Sequence, residues 1–380
     1  MSTLIVGLST RAVAESAVRG GHPIVTLDYF GDRDQAALAR NLSLMRDFRL
    51  PFSAGGLLRA SRQVNCRQVL YISNLENHPD VVGELSRERC LLGNPPAVLR
   101  RVRDWGTLRA YCRRSGLSFP ATVLAGEELD GDPVGPWLVK PVRSGGGHGI
   151  RSWRGEPLDG DHFLQRWLPG RPASAAFVAD GRHAVVLGLT EQLIGRQELG
   201  ARGMAWCGNI LPLSLPAGQR GAVLLAVDSL VQQLASEFEL RGLNGVDLVI
   251  SDDLQVHLLE VNPRYTASME LVEEAYGLNM FSLHLDAMAG RLPGWSLASL
   301  ADTTWHGKGI VYARQDVTIP DTEAWRAGSR RDIPYTGDRV GAGRPICTVL
   351  AEGPDRESCW QDLMDRATSV RREVGDRLEA

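Results

Sequence analysis

No two cysteines of this sequence stand as CxxC. The six, Cys66, Cys90, Cys112, Cys207, Cys347 and Cys359, are scattered along 380 residues, and dispersed thiols in a chain of that length read as reduced rather than as a disulfide framework. The eight histidines are equally dispersed, so no Cys or His cluster has the ligand spacing of a zinc site. Neither sign of charge dominates: the formal net charge is −3. The basic clusters are short, Arg100, Arg101 and Arg103 in one and Arg371 and Arg372 in another. No sequence-wide basic field therefore argues for nucleic acid. Long apolar runs are missing as well. The nearest approach, 222–231, is interrupted by Asp228 and falls short of a bilayer span. The first residues lack the basic segment of a signal peptide. Repeats and low-complexity stretches are absent too. These absences lead us to expect a soluble, cytoplasmic protein whose partners are small molecules, not nucleic acid or membrane.

What is there suits several cores. With 43% hydrophobic residues over this length, two or three domains are expected. An apolar strand over 3–7 leads to Gly7-Leu-Ser9-Thr-Arg11. A helical pattern follows over 12–19 and stops at Gly20-Gly21, and a second strand over 24–27 ends at Asp28. This is the opening of a doubly wound α/β layer. The loop lacks the GxGxxG glycines of a dinucleotide site, which weakens an oxidoreductase reading. After a strand over 68–72 and the run Ser73-Asn-Leu-Glu-Asn77, Asn94-Pro-Pro96 marks a boundary. A helix over 97–115 comes next, then short strands over 122–124, 137–141, 163–168, 173–179 and 184–191. Helical periodicity covers 222–239, and strands over 245–250 and 255–261 flank a polar turn and form a hairpin. Beyond Gly290 the composition shifts to short strands over 309–313 and 345–350, with a charged helix over about 355–378.

Two constellations carry chemistry. Lys140-Pro-Val-Arg-Ser144-Gly145-Gly146-Gly147-His148-Gly149 is a glycine loop able to bring several N–H groups to one anion, with a lysine on the preceding strand. The lysine stands before the glycines, so this is no Walker A loop. The second is the hairpin. Glu260 and Asn262, two apart on one strand, point to one face, and a turn near Asp252-Asp253 sets Asp247 opposite Glu260. Two carboxylates that close repel unless a cation lies between them. Mg2+ suits a few protein oxygens completed by water and phosphate. Arg264 adds charge able to stabilise phosphoryl oxygens.

Lys140-Pro with its glycine loop, Asp247, and Leu259-Glu260-Val-Asn262-Pro-Arg264 resemble the ATP-grasp superfamily, whose two α+β subdomains clamp ATP. The resemblance implies an ADP-forming ligase that uses ATP and Mg2+ to join a small-molecule carboxylate to an amine. It implies that Lys140 contacts nucleotide phosphates, that Ser144, Gly145, Gly146, Gly147 and Gly149 close over them, and that Asp247, Glu260 and Asn262 hold Mg2+. Arg264 would act, with Lys140, on the transferring phosphoryl group or acyl phosphate. Gln165-Arg166-Trp167-Leu168 is similar to the hinge that holds adenine, with Arg166 where the family often has an acid. A family lysine near residue 103 is missing, and Arg101 or Arg103 would replace it. The opening Gly7-Leu-Ser9-Thr-Arg11 and Leu27-Asp28-Tyr-Phe-Gly31-Asp32 resemble uncharacterised members and tyramine–glutamate ligases of methanofuran-type C1-carrier synthesis. There Ser9 and Arg11 would bind a substrate carboxylate at a helix N-terminus, unless they are a capping serine and a surface arginine. The tail resembles the β-rich tail of carboxylase-type members, in a packing or dimerisation role, and a homodimer is the default. The expected fold is α/β and α+β: a Rossmann-like pre-grasp domain over 1–95, an ATP-grasp domain over 96–300 and a small β-rich tail over 301–380. A grasp scaffold that binds nucleotide without catalysis is the alternative.

Overall fold

The computed structural model describes residues 2–129, 135–216, 218–299 and 304–376. The N-terminal layer is a five-stranded parallel sheet in the order Arg40–Ser43, Ile24–Asp28, Thr3–Val6, Gln68–Tyr71, Cys90–Leu91. Thr3–Val6 is buried throughout, as a strand covered on both faces must be. Helix Arg11–Arg19 buries Val13, Ala14 and Ala17 against it and stops at Gly20. The order runs outward in both directions from Thr3–Val6. The loops leaving that strand and Gln68–Tyr71 therefore border the topological switch point, where such sheets receive ligands. These loops touch: a Cβ on Gly7 would lie 2.8 Å from the Ser73 carbonyl oxygen, and Leu8 gives its N–H to that oxygen.

The double proline, expected to mark a boundary, opens a helix at Pro96, Pro96–Val102. Proline fits the first turn, where its missing N–H has no partner to lose. The single helix expected over 97–115 is two. Asp104 caps the second, Trp105–Ser115, by accepting from Thr107 N–H at 2.7 Å. A capping side chain competes with the helix for the backbone, and the break leaves Arg103 between the two helices.

Two antiparallel sheets form the clamp. The smaller has four strands in the order Thr122–Leu124, His162–Arg166, Trp137–Pro141, Arg151–Ser152. The larger has eight, running Val256–Asn262, Arg241–Ile250, Arg171–Asp180, Ala184–Ile194, Trp206–Leu211, Trp305–Tyr312, Pro345–Gly353, Arg330–Arg331. Helix Arg220–Phe238 packs on one face through Val223, Val227, Leu230 and Leu234. Met269–Tyr276 and Met280–Met288 cover part of the other. The tail strands thus extend the grasp sheet across the expected line at 300/301, through the register Asn209↔Lys308. The pair Val317–Thr318 and Arg339–Val340 stands apart from that sheet. The last helix, Arg356–Val374, packs Cys359, Leu363, Ala367 and Val370 beneath these strands. The expected end at 378 lies outside the described residues. Among the described residues no helix is long and apolar enough to cross a membrane.

Candidate active site

The hairpin Arg241–Ile250 and Val256–Asn262 turns through Ser251–Leu254, with Ser251 N–H on the Gln255 carbonyl at 3.1 Å. Its register pairs Asp247 with Glu260 and Gly245 with Asn262. The two carboxylates therefore share a face, because paired residues of adjacent strands do. Asp247 accepts from Gln192 Nε2 at 2.8 Å and from Asn262 Nδ2 at 3.1 Å. The Asn262 side-chain amide oxygen, Oδ1, accepts from an Arg264 terminal nitrogen at 3.2 Å. Burial, then repulsion from Glu260, pushes Asp247 up to about 6 against the pull of Asn262, Arg264 and Lys140. Two carboxylates and an amide oxygen, one of the acids short of positive charge, fit a hard, oxygen-seeking cation such as Mg2+. Among the described residues no group of three His, Cys, Asp or Glu gathers in the manner of a metal cage.

Cations surround the pair. Lys140, buried on Trp137–Pro141, gives Nζ to Gln165 Oε1 at 2.8 Å. Burial lowers its pKa, and the charges of Glu260 and Asp247 oppose the shift. Arg103 sits on Glu260 and on the Val261 carbonyl at 3.0 Å, whereas Arg101 turns outward to the Glu237 carbonyl. Of the two candidates for the missing lysine, only Arg103 faces the cleft. Arg264 grips Glu76 through Nε at 2.8 Å. Burial alone would raise Glu76, but the charge and hydrogen bond of Arg264 bring it below its ordinary value.

Glu76 and Asn77 escaped the sequence reading as site residues. They lie on a short turn, Leu75–Asn77, at the switch point of the N-terminal sheet. Asn77 accepts from Arg103 at 2.9 Å and donates to the Ser144 carbonyl at 3.2 Å. The signal was the polar run 73–77 after a strand, but its partners are far off in sequence.

The glycine loop is docked on its other side. Trp206 N–H meets the Gly146 carbonyl at 2.9 Å, and a Cβ on Gly147 would lie 1.8 Å from the Met204 carbonyl oxygen. Ser144 Oγ donates to the His148 carbonyl at 2.6 Å. Gly145 has open space around it, while Gly149 takes a positive φ beside Pro141. In the hinge, strand His162–Arg166 ends earlier than expected, so Trp167 and Leu168 lie beyond it. Gln165 is buried, and Arg166 and Trp167 are exposed. Trp167 N–H is taken by the Pro136 carbonyl at 2.9 Å.

Ser9 sits half-buried on the loop after Thr3–Val6. Arg11 is no free carboxylate receptor and no surface residue. It is 1% exposed and bound to Glu270, to Asp332 at 3.0 Å and to Glu15 at 2.8 Å. Its five N–H donors are directed at protein carboxylates that its burial demands.

Residues 105–268 match the family described as ATP-grasp domain. The carbamoyl phosphate synthase large chain of Thermus thermophilus is 26% identical over 250 residues, 60% of this chain and 23% of that one. The same protein of Halomonas eurihalina is 24% identical over 222 residues, 53% and 20% of the two chains. The chain thus spans about a fifth of the length of these curated relatives. An uncharacterized protein of Methanocaldococcus jannaschii is 19% identical over 376 residues, 93% of this chain and 88% of that one. Among solved structures, L-amino acid ligase from Bacillus licheniformis aligns with a TM-score of 0.67 at 15% identity, covering 97% of this chain and 98% of that one. Biotin carboxylase from Campylobacter jejuni aligns at 0.71 and 13% identity, covering 97% and 94%. At these identities the structures show the fold.

Proposed function

We propose that this chain, whose residues 105–268 match an ATP-grasp domain, is an ADP-forming ligase that joins a carboxylate to an amine. The observation that carries the reading is the convergence of Lys140, Arg103 and Arg264 on the paired carboxylates Asp247 and Glu260. Asp247, Glu260 and Asn262 would hold Mg2+, which when bound neutralises β- and γ-phosphate charge. A substrate carboxylate attacks the γ-phosphorus in line, the bond to the β,γ-bridging oxygen breaks, and ADP and an acyl phosphate result. An amine then attacks the acyl carbon, and amide, phosphate and a proton leave. The protein's part is positioning and charge. Lys140 and Arg103 meet phosphate oxygens, and Arg264, aimed by Glu76, meets the transferring group. The loop 144–149 keeps water from the intermediate. Adenine would be met by the Trp167 carbonyl and Leu168 N–H, with Gln165 behind. Arg166 would lie at the rim.

Ser9 is the remaining candidate for the acid's carboxylate at the switch point. Glutamate as the acid and an amine such as tyramine, in C1-carrier cofactor synthesis, is the finer reading. The N-terminal motifs 7–11 and 27–32 support it. A homodimer is expected in line with the carboxylase domain dimer of the same fold. The test is ADP formation from Mg-ATP with amino acids, glutamate first, each alone and with amines, followed by mass spectrometry. ADP that depends on one acid–amine pair, with the amide mass, establishes the ligase. Tight Mg-ATP binding without ADP from any pair favours the non-catalytic scaffold.

A further inference from the structure

Arg103 occupies an unusual place for a nucleotide contact. Its side chain is 9% exposed, and one terminal nitrogen lies on Glu260 Oε1, an oxygen of a carboxylate assigned to Mg2+. The same nitrogen donates to the Val261 carbonyl at 3.0 Å. The rest of the fork rests on Asn77: Nε at 3.2 Å and the other terminal nitrogen at 2.9 Å from Oδ1. Asn77 itself comes from the N-terminal domain, and its Nδ2 reaches the glycine loop at the Ser144 carbonyl. A guanidinium and a divalent ion drawn to one carboxylate repel each other, strongly so where water is scarce. Nε lies nearest the aliphatic stem, so its bond to Asn77 can persist while the terminal nitrogens swing. Asn77 ties this fork to the glycine loop, and the charge of Arg103 already acts on Lys140.

We propose that Arg103 is an exchangeable counter-cation of Glu260, which leaves that carboxylate for the nucleotide phosphates when metal and nucleotide enter together, with Asn77 as its pivot. The proposal rests on the assignment of Mg2+ to Asp247, Glu260 and Asn262. Its consequence is synergy. Metal alone must compete with a built-in cation, whereas metal with nucleotide gives that cation new partners. Arg103 thereby makes the site selective for the metal–nucleotide complex over the free ion.

The full chain tests this with two titrations: Mn2+ alone, followed by the EPR signal of free Mn2+, and Mg-ATP by calorimetry. Charge-assisted hydrogen bonds of this kind put the expected change at about ten- to hundredfold. Arg103→Gln binds Mn2+ alone more tightly by that factor and Mg-ATP more weakly. A residue that only supported the fold would weaken both. Arg103→Lys, which keeps the charge and loses the fork on Asn77, leaves Mn2+ binding near wild type and weakens Mg-ATP, so the test survives if the glutamine variant does not fold. Arg101→Gln changes neither. Unchanged or weaker Mn2+ binding in Arg103→Gln overturns the proposal. So does an equal gain in Arg101→Gln, which would trace the effect to overall charge. A wild-type chain that binds no Mg-ATP, or a Glu260→Gln variant that binds Mn2+ undiminished, would sink the metal assignment instead, a separate result.

Discussion

In the cleft, Asp247 is pushed up to about 6. Where the N-terminal layer, the clamp and the tail meet, Glu270 is more fully buried than Asp247 and yet lies far below its ordinary value. Burial works to raise both. At the junction the charges of Arg11 and Lys308 overwhelm it, for Arg11 meets both Glu270 oxygens and Lys308 meets one of them. In the cleft the neighbours of Asp247 are the neutral amides of Gln192 and Asn262, and a second carboxylate stands opposite. Both regions contain arginine, lysine and paired acids. The difference is whether a buried acid already has its cation. A saturated network is a staple between regions. A carboxylate left short of charge is a place for a cation that the chain does not itself supply.

The sharpest way to break this comparison is at the junction. Glu270→Ala leaves Arg11 and Lys308 buried without their shared partner. It should destabilise the protein by about 3–5 kcal/mol, read as a lower denaturant midpoint, while the folded fraction still binds Mg-ATP. Loss of nucleotide binding with stability intact would reverse the two roles. In the cleft, Glu260→Ala should lower ADP release by roughly 10²–10³-fold with a small change in melting temperature. Near-normal turnover would remove Glu260 from the metal site.

The junction also holds a neutral staple. His284 accepts Leu243 N–H at 3.0 Å and meets the Leu92 carbonyl at 3.3 Å, and burial pushes it down to about 4. A histidine whose folded pKa is depressed contributes stability that is present above its unfolded value near 6.5 and lost as pH falls through about 4. That loss should reach about 3 kcal/mol. Unfolding free energies of wild type and His284→Asn from pH 7 to 4 check it, since the variant should lack that part of the decline. The smallest effect belongs to Arg101→Gln. An exposed pair of this kind should change stability by less than about 0.5 kcal/mol and leave ADP formation alone. A clear loss of activity would mean that the outward arginine matters after all.

Much of the cleft was legible. Strand alternation and a polar turn put Asp247 and Glu260 on one hairpin, but a β-bulge beside Asp247, where Leu248 pairs with Leu258 and Asp247 with Glu260, brings the two acids to one face. The lysine-and-glycine run was local. Arg11 was not legible: a Ser-Thr-Arg at a helix start reads alike whether the arginine meets a ligand or a protein acid. Its partners Glu270 and Asp332 lie 259 and 321 residues away. Glu76 was hidden for the same reason, 188 residues from the arginine it holds. The long helix expected over 97–115 failed on one residue, Asp104, whose capping bond divides it and frees Arg103 for the cleft.

The sequence by itself determined the local geometry: a parallel layer from its strand–helix alternation, a glycine loop behind a lysine, and a hairpin carrying two acids and an amide. Only the tertiary structure decided which charges were already spoken for. It carried the tail strands into the grasp sheet and brought Glu76 and Asn77 to the arginines. It also separated Arg103 from Arg101, two residues apart and facing opposite ways. Backbone periodicity fixes where a side chain points, but charge compensation depends on what distant segment is packed against it.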